Sequence, residues 1–233
     1  MRNLGGNNFI FLFFIIIMAV RSITSSAYSS PIEWVIDTLL FLPGIIIGIT
    51  FHEFMHAYTA YKLGDQLPKR QGRVTLNPLK HIDPVGLILL ILVHFGWGRA
   101  VMVNPRGFRG NRRLAGLLVA VAGVAMNFVI AFLCTGLYFM SQSQILDAIL
   151  FNTIWINLVL MIFNLLPIPP LDGFGIITEI FDLRRFSWHS GFYNYGSIIL
   201  LVLLMFGAIG AILTPGIEAI LGPFATFWRG VIL

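Results

Sequence analysis

His52-Glu53-Phe54-Met55-His56 stands at the end of an apolar run that begins near Ile32. This is the H-E-x-x-H pattern. On a helix its histidines fall at i and i+4, so both imidazoles lie on one face and can grip one zinc ion. Glu53 is then placed to take a proton from the attacking water. Two histidines and a glutamate in or beside a membrane span are costly, so each needs a partner or a function.

The rest of the chain bears out a membrane setting. Of 233 residues, 58% are hydrophobic and only 11% charged, against about 25% charged in soluble domains. Mean hydropathy is +0.88. The net charge of +5 comes from basic residues grouped in loops, which reads as membrane orientation and not as a nucleic-acid surface. A single cysteine, Cys134, rules out an internal disulfide and a cysteine-based metal site. It reads as a small packed hydrophobe.

Outward from the motif, the chain divides by hydropathy. Phe9–Val20 is an apolar run followed by a Ser-rich stretch, so residues 1–31 read as a signal-like segment or extra helix with a linker. Residues 32–233 read as one integral-membrane domain. Ile32–Tyr61 is one long helical candidate, with Pro31 at its start, Pro43-Gly44 as a kink and Gly64-Asp65 as its end. Leu114–Met140 and Ile149–Leu166 are each long enough to span, and the second runs into Pro167-Ile168-Pro169-Pro170-Leu171-Asp172-Gly173. Ser197–Ile212 and Ile217–Phe227 are apolar and split by Thr214-Pro215-Gly216. The expected fold is an all-α polytopic membrane protein, a bundle of about six transmembrane helices.

Charge sets the expected topology. Residues 62–84 carry Lys62, Lys69, Arg70, Arg73 and Lys80; residues 96–113 carry Arg99, Arg106, Arg109, Arg112 and Arg113. Both loops should be cytoplasmic. Between them Val85–Phe95 is too short to cross about 30 Å of hydrocarbon as a helix. Residues 85–103 therefore read as a re-entrant hairpin, with Val101-Met102-Val103 a candidate short β-strand. On this topology the 52–56 motif and the Pro-rich segment with Asp172 share one side of the membrane.

Catalytic zinc sites usually have three protein ligands. Asp37 and Asp147 fall on the outer side, and Asp65, Asp83 and Asp182 lie in charged loops. Asp172 follows a broken backbone, where a carboxylate can point into a bundle cavity. It is equally placed to cap a helix over 173–181. Spacing alone leaves both readings open.

Two stretches carry a family resemblance. Phe51-His52-Glu53-Phe54-Met55-His56-Ala57 and Asn164-Leu165-Leu166-Pro167-Ile168-Pro169-Pro170-Leu171-Asp172-Gly173 resemble the two signature motifs of the site-2 protease family, the intramembrane zinc metalloproteases. The loop from Gln71 to Gly86 and the stretch Gly96–Pro105 resemble those of compact prokaryotic-type members lacking PDZ or CBS domains. The resemblance covers about residues 32–181. It implies one Zn2+ held by His52, His56 and Asp172, with Glu53 as the catalytic base activating the zinc-bound water. Gly123-Val124-Ala125-Met126-Asn127 matches the family's Gly-x-x-x-Asn element, with Val124 where many members have proline. Asn127 is then either an accessory residue of the site or one end of an interhelical hydrogen bond. Asn164 matches a position that holds an extended substrate backbone, though its amide could instead serve groups freed by Pro167.

The function so implied is hydrolysis of peptide bonds in or near transmembrane segments. The expected partners are transmembrane protein or peptide substrates and membrane lipid, with no nucleic acid. The expected location is a prokaryotic cell membrane, with the site towards the cytoplasm. Two rival readings are an inactive zinc-binding scaffold for single-span helices and a metal-ion transporter. A transporter would need ligands strung along a pathway, whereas here the ionisable residues cluster at one depth.

Overall fold

A computed structural model describes residues 30–93 and 96–232. Residues 1–29, most of the signal-like segment read over 1–31, lie outside the described residues. The chain forms helices α1 (Pro31–Lys62), α2 (Leu67–Arg70), α3 (Pro78–His81), α4 (Pro84–Val93), α5 (Arg112–Met140), α6 (Gln144–Leu165), α7 (Asp172–Phe181), α8 (Trp188–Met205) and α9 (Ala208–Ile232). Short 3-10 turns cover Pro105–Gly107 and Leu183–Arg185.

Local chemistry sets the boundaries. The Ser30 hydroxyl accepts the Glu33 N–H and Pro31 opens α1, where its missing N–H costs nothing. Gly64 stops α1 at φ +114°. A Cβ there would overlap Arg109 and the Gly107 carbonyl. The Asn111 side chain accepts the Arg113 and Leu114 N–H groups at the start of α5. Ser143 does the same for Leu146 at the start of α6.

Four helices are long and apolar enough to cross a membrane: α1, α5, α6 and α9. Among the described residues the expected bundle of about six spans is therefore matched by four. Helix α4 has only 10 residues, and α8, at 18 residues, is not among the four. The break near the C-terminus also lies elsewhere. It falls at Phe206-Gly207, where Gly207 takes φ +70°, and α9 runs unbroken through Pro215 and Pro223. Neighbouring helices in a bundle can re-satisfy the carbonyls that proline frees, so proline is a weaker stop signal there than in water.

The core is built by α5, α6 and α9, through Val124, Ala131, Ile154, Leu158, Met161, Ile217 and Phe224. Helix α1 lies against α5 and α6. Gly44 and Gly48, four apart, face α6: a Cβ at Gly44 would stand 2.8 Å from Thr153 Cα, and one at Gly48 2.8 Å from the Leu160 side chain. Small residues at this spacing let apolar helices approach closely. That contact fixes the height of the His52–His56 turn against its neighbours.

From Gly96 to Asn104 the chain has no regular helix or strand. Gly98 pairs with Ile82 in one antiparallel bridge, so the excursion leaves and returns at the same place. Residues 101–103 do not form the β-strand expected of them; among the described residues there is no named strand. Their backbone is used otherwise, as the Val101 N–H donates to Glu53 Oε2 at 3.0 Å.

Candidate active site

The apolar half of α1 carries His52 and His56 into the bundle, where they are 7% and 8% exposed. Helix α5 can approach because residue 123 is glycine: a Cβ there would overlap both imidazoles. One turn on, Asn127 Oδ1 meets His52 Nδ1 at 2.5 Å. The Val119 carbonyl, one turn before Gly123, meets His56 Nδ1 at 2.7 Å. Both Nδ1 atoms face oxygen acceptors, so each carries the N–H and each Nε2 is left with its lone pair. The Gly-x-x-x-Asn element thus orients one histidine and makes room for both.

The third group arrives from the broken end of α6. At Gly173 the chain passes so close to α6 that a Cβ would overlap the Leu165 and Leu166 carbonyls. Helix α7 starts at Asp172 with Leu171 as its N-cap residue and no side-chain capping bond. The two readings of Asp172 left open by spacing are thereby separated. Its carboxylate points at the histidines, with Oδ2 3.1 Å from His52 Nε2 and 3.2 Å from His56 Nε2. The two Nε2 atoms are 3.0 Å apart.

Three lone-pair atoms therefore meet with no N–H between them, and Asp172 Oδ2 is buried without a hydrogen-bond donor. Such a meeting is repulsive unless a cation is shared. Among the described residues His52, His56 and Asp172 form the group that could hold a metal ion. Ligands about 2.0–2.1 Å from a tetrahedral zinc stand about 3.3 Å from one another, close to the separations found. Two imidazoles and one carboxylate are also a donor set that zinc favours.

Glu53 and Asn164 line the same cleft, of about 580 Å³, together with the three candidate ligands. Glu53 Oε2 takes the Val101 N–H and lies 4.0 Å from Arg73 Nη2. The Asn164 amide donates back to the Leu160 carbonyl of its own helix at 2.8 Å. The carbonyl whose helical donor Pro167 removes is that of Phe163, and it takes the Leu166 N–H instead.

Sequence reading missed two side chains near the site. Asn157 is fully buried; it accepts from Asn127 Nδ2 at 2.8 Å and donates to the Thr153 carbonyl. Its one available signal was an asparagine inside an apolar span, which is rarely idle. Arg73 is buried beside Glu53, but its sequence signal was absorbed into the charge of a basic loop. The loop histidine His81 is fully buried and donates from Nε2 to the Thr75 carbonyl at 2.6 Å. Burial pushes its pKa below the ordinary value. Asp83 caps α4 through the Gly86 N–H.

The Asn127–Asn157 pair yields a prediction. Asn157→Leu leaves the Asn127 NH2 with only the Gly48 carbonyl at 3.4 Å, and a buried unpaired donor costs about 1–3 kcal/mol. Since Asn127 orients His52, zinc affinity should fall about 10–100-fold. Competition with a fluorescent chelator measures it, and unaltered affinity would sink the relay.

Apolar spanning helices around a His-His-carboxylate centre with an adjoining glutamate define an integral membrane protein of metallopeptidase type. Comparison with known proteins names the group. The model of Peptidase family M50 matches residues 140–207. The Bacillus subtilis protein YwhC, named as a candidate zinc metalloprotease, is 41% identical over 185 residues, covering 75% of this chain and 84% of its own. Rip2 of Mycolicibacterium smegmatis, named likewise, is 30% identical over 189 residues, covering 77% of this chain and 71% of its own. The zinc metalloprotease MJ0392 of Methanocaldococcus jannaschii is 24% identical over 208 residues, 85% of this chain and 49% of its own. No solved structure matches significantly. The chain belongs to the M50 peptidases, the site-2 protease family. It is a zinc metalloprotease with Zn2+ as cofactor.

Proposed function

We propose that this protein hydrolyses peptide bonds in or near the transmembrane segments of other membrane proteins, on the cytoplasmic side of a prokaryotic cell membrane. The observation that carries the reading is the convergence of His52 Nε2, His56 Nε2 and Asp172 Oδ2 within 3.2 Å, beside Glu53, in a cleft reached through apolar helices. In this reading those three residues hold zinc, which supplies Lewis acidity to peptide hydrolysis. The Glu53 carboxylate takes the proton of the attacking water and returns it to the leaving amine.

Other residues have supporting duties. Asn127 holds the His52 ring. In this reading Asn164, which lines the cleft, hydrogen-bonds a substrate backbone, with both donor and acceptor on one amide. A substrate helix must unwind before its carbonyls can be attacked, and the groups so freed need partners. The irregular chain at Ala100, Val101 and Val103 lines the cleft, where its backbone could pair with an unwound substrate segment. In this reading residues 85–103 form a re-entrant hairpin. Support comes from the Ile82–Gly98 bridge, which closes the excursion on the side it left. The cytoplasmic placement is supported by Lys62 at the end of α1, Lys69 in α2, and Arg112 and Arg113 opening α5.

Purified protein in detergent, mixed with a single-span substrate, should cleave it. A zinc chelator should stop cleavage, and one equivalent of zinc should restore it. Absence of chelator-sensitive cleavage across a panel of single-span substrates would overturn the reading.

A further inference from the structure

Arg73 lies in the loop between α2 and α3, yet it is only 6% exposed. Its Nη1 donates to the Lys80 carbonyl at 2.5 Å, and its Nη2 donates to the Arg99 carbonyl. The same Nη2 lies 4.0 Å from Glu53 Oε2. Around this guanidinium the backbone is tied twice more. The Arg99 N–H returns to the His81 carbonyl at 2.7 Å, and Gly98 bridges to Ile82. A Cβ on Gly98 would stand 2.7 Å from the Ile49 side chain, so this segment lies directly on α1. Two residues after Arg99, the Val101 N–H ends on Glu53.

A buried guanidinium is expensive to keep. An apolar side chain would fill the same volume at lower cost. What an apolar residue cannot do is bind two carbonyls from separate loop segments with one planar fork, beside a carboxylate. Lysine, a point charge on a flexible stem, cannot reproduce that fork either. Nor can Glu53 orient itself: on a free rotamer its carboxylate would sample several directions.

We propose that Arg73 is a positioning residue for peptide hydrolysis: by joining the Lys80 and Arg99 carbonyls beside Glu53, it sets the Val101 N–H and through it the direction of the Glu53 carboxylate. The inference rests on the reading of Glu53 as proton acceptor. Arg73 itself does not touch zinc or substrate. Its contribution is geometric, since misplacement of a reacting group by about 1 Å costs on the order of a hundredfold in rate.

The test uses the full chain, zinc-loaded in detergent, as wild type, Arg73→Gln and Arg73→Lys. Arg73→Gln should lower kcat on a single-span substrate about 10–100-fold, with KM and the zinc content per chain unchanged. Arg73→Lys should recover only part of kcat. Amide hydrogen exchange over residues 98–103 gives a reading independent of turnover, and Arg73→Gln should speed exchange at Val101. A wild-type kcat, a loss that follows zinc content or KM, or unaltered exchange would overturn the proposal. If Arg73→Gln does not fold, the same readings on Arg73→Lys decide it. If the wild type cleaves nothing, it is the proteolytic reading that fails, and exchange at Val101 still decides what Arg73 holds.

Discussion

Glu53→Gln is expected to lower the cleavage rate by about 10²–10⁴-fold, the usual contribution of a positioned general base, while zinc stays bound. Glutamine has nearly the same shape and keeps an oxygen to accept the Val101 N–H, now 3.0 Å from Glu53 Oε2. The loop over the cleft should therefore stay in place. What is lost is the negative charge and the ability to accept a proton. His52 and His56 keep their contacts to Asn127 and Val119, so the two imidazoles stay in place. Single-turnover cleavage of a single-span substrate, with zinc counted per chain, separates the two effects. Full activity with zinc bound would remove Glu53 from the chemistry; loss of zinc would assign it a structural duty instead.

Asp172→Ala should act on the metal itself. It removes the carboxylate that meets the two Nε2 atoms, and would leave two ligands where catalytic zinc sites have three. The fall in zinc affinity should exceed the about 10–100-fold typical of losing a supporting group, and cleavage should vanish with it. Asp172→Glu should not rescue it. Gly173 pins the start of α7 against the end of α6, so the backbone cannot draw back to make room for one more methylene. Zinc retention by dialysis against a chelator measures both variants. An Asp172→Ala protein that held zinc as tightly as wild type would show that the third ligand lies elsewhere.

These two variants differ in what made their residues legible. Glu53 was readable because the H-E-x-x-H spacing is local: a helix of 3.6 residues per turn puts i and i+4 on one face wherever the helix goes. Asp172 was not readable to the same degree. Its carboxylate could cap α7 or reach inward, and the distance along the chain from His56 carries no information on which. The close passage at Gly173 and the seating of α1 on α6 at Gly44 and Gly48 decide it. Asn127 follows the same pattern, since an interhelical bond and a link to the site are both made: it joins His52 on one side and Asn157 on the other.

Where reading from sequence went astray, the reason is also physical. Pro215 reads as a break by the rules of soluble helices, but α9 continues through it and Gly207 makes the break instead. Val101–Val103 has strand-like composition, yet its one placed backbone donor goes to a side chain and not to another strand. Hydropathy counts apolar runs, not the helices that cross: Ser197–Ile212 read as a span, but the helix there, α8, begins with a polar turn and is not among the four long apolar helices.

By itself the sequence determined the apolar helices, the membrane setting and the histidine pair, because each rests on composition or on contacts within one or two turns. Only the tertiary structure decided that the Asp172 carboxylate turns to the histidines and does not cap α7, which polar groups hold the imidazoles, and how Arg73 and Val101 converge on Glu53. Those are contacts between residues tens of positions apart, and they exist only once the helices have packed to within the reach of a side chain.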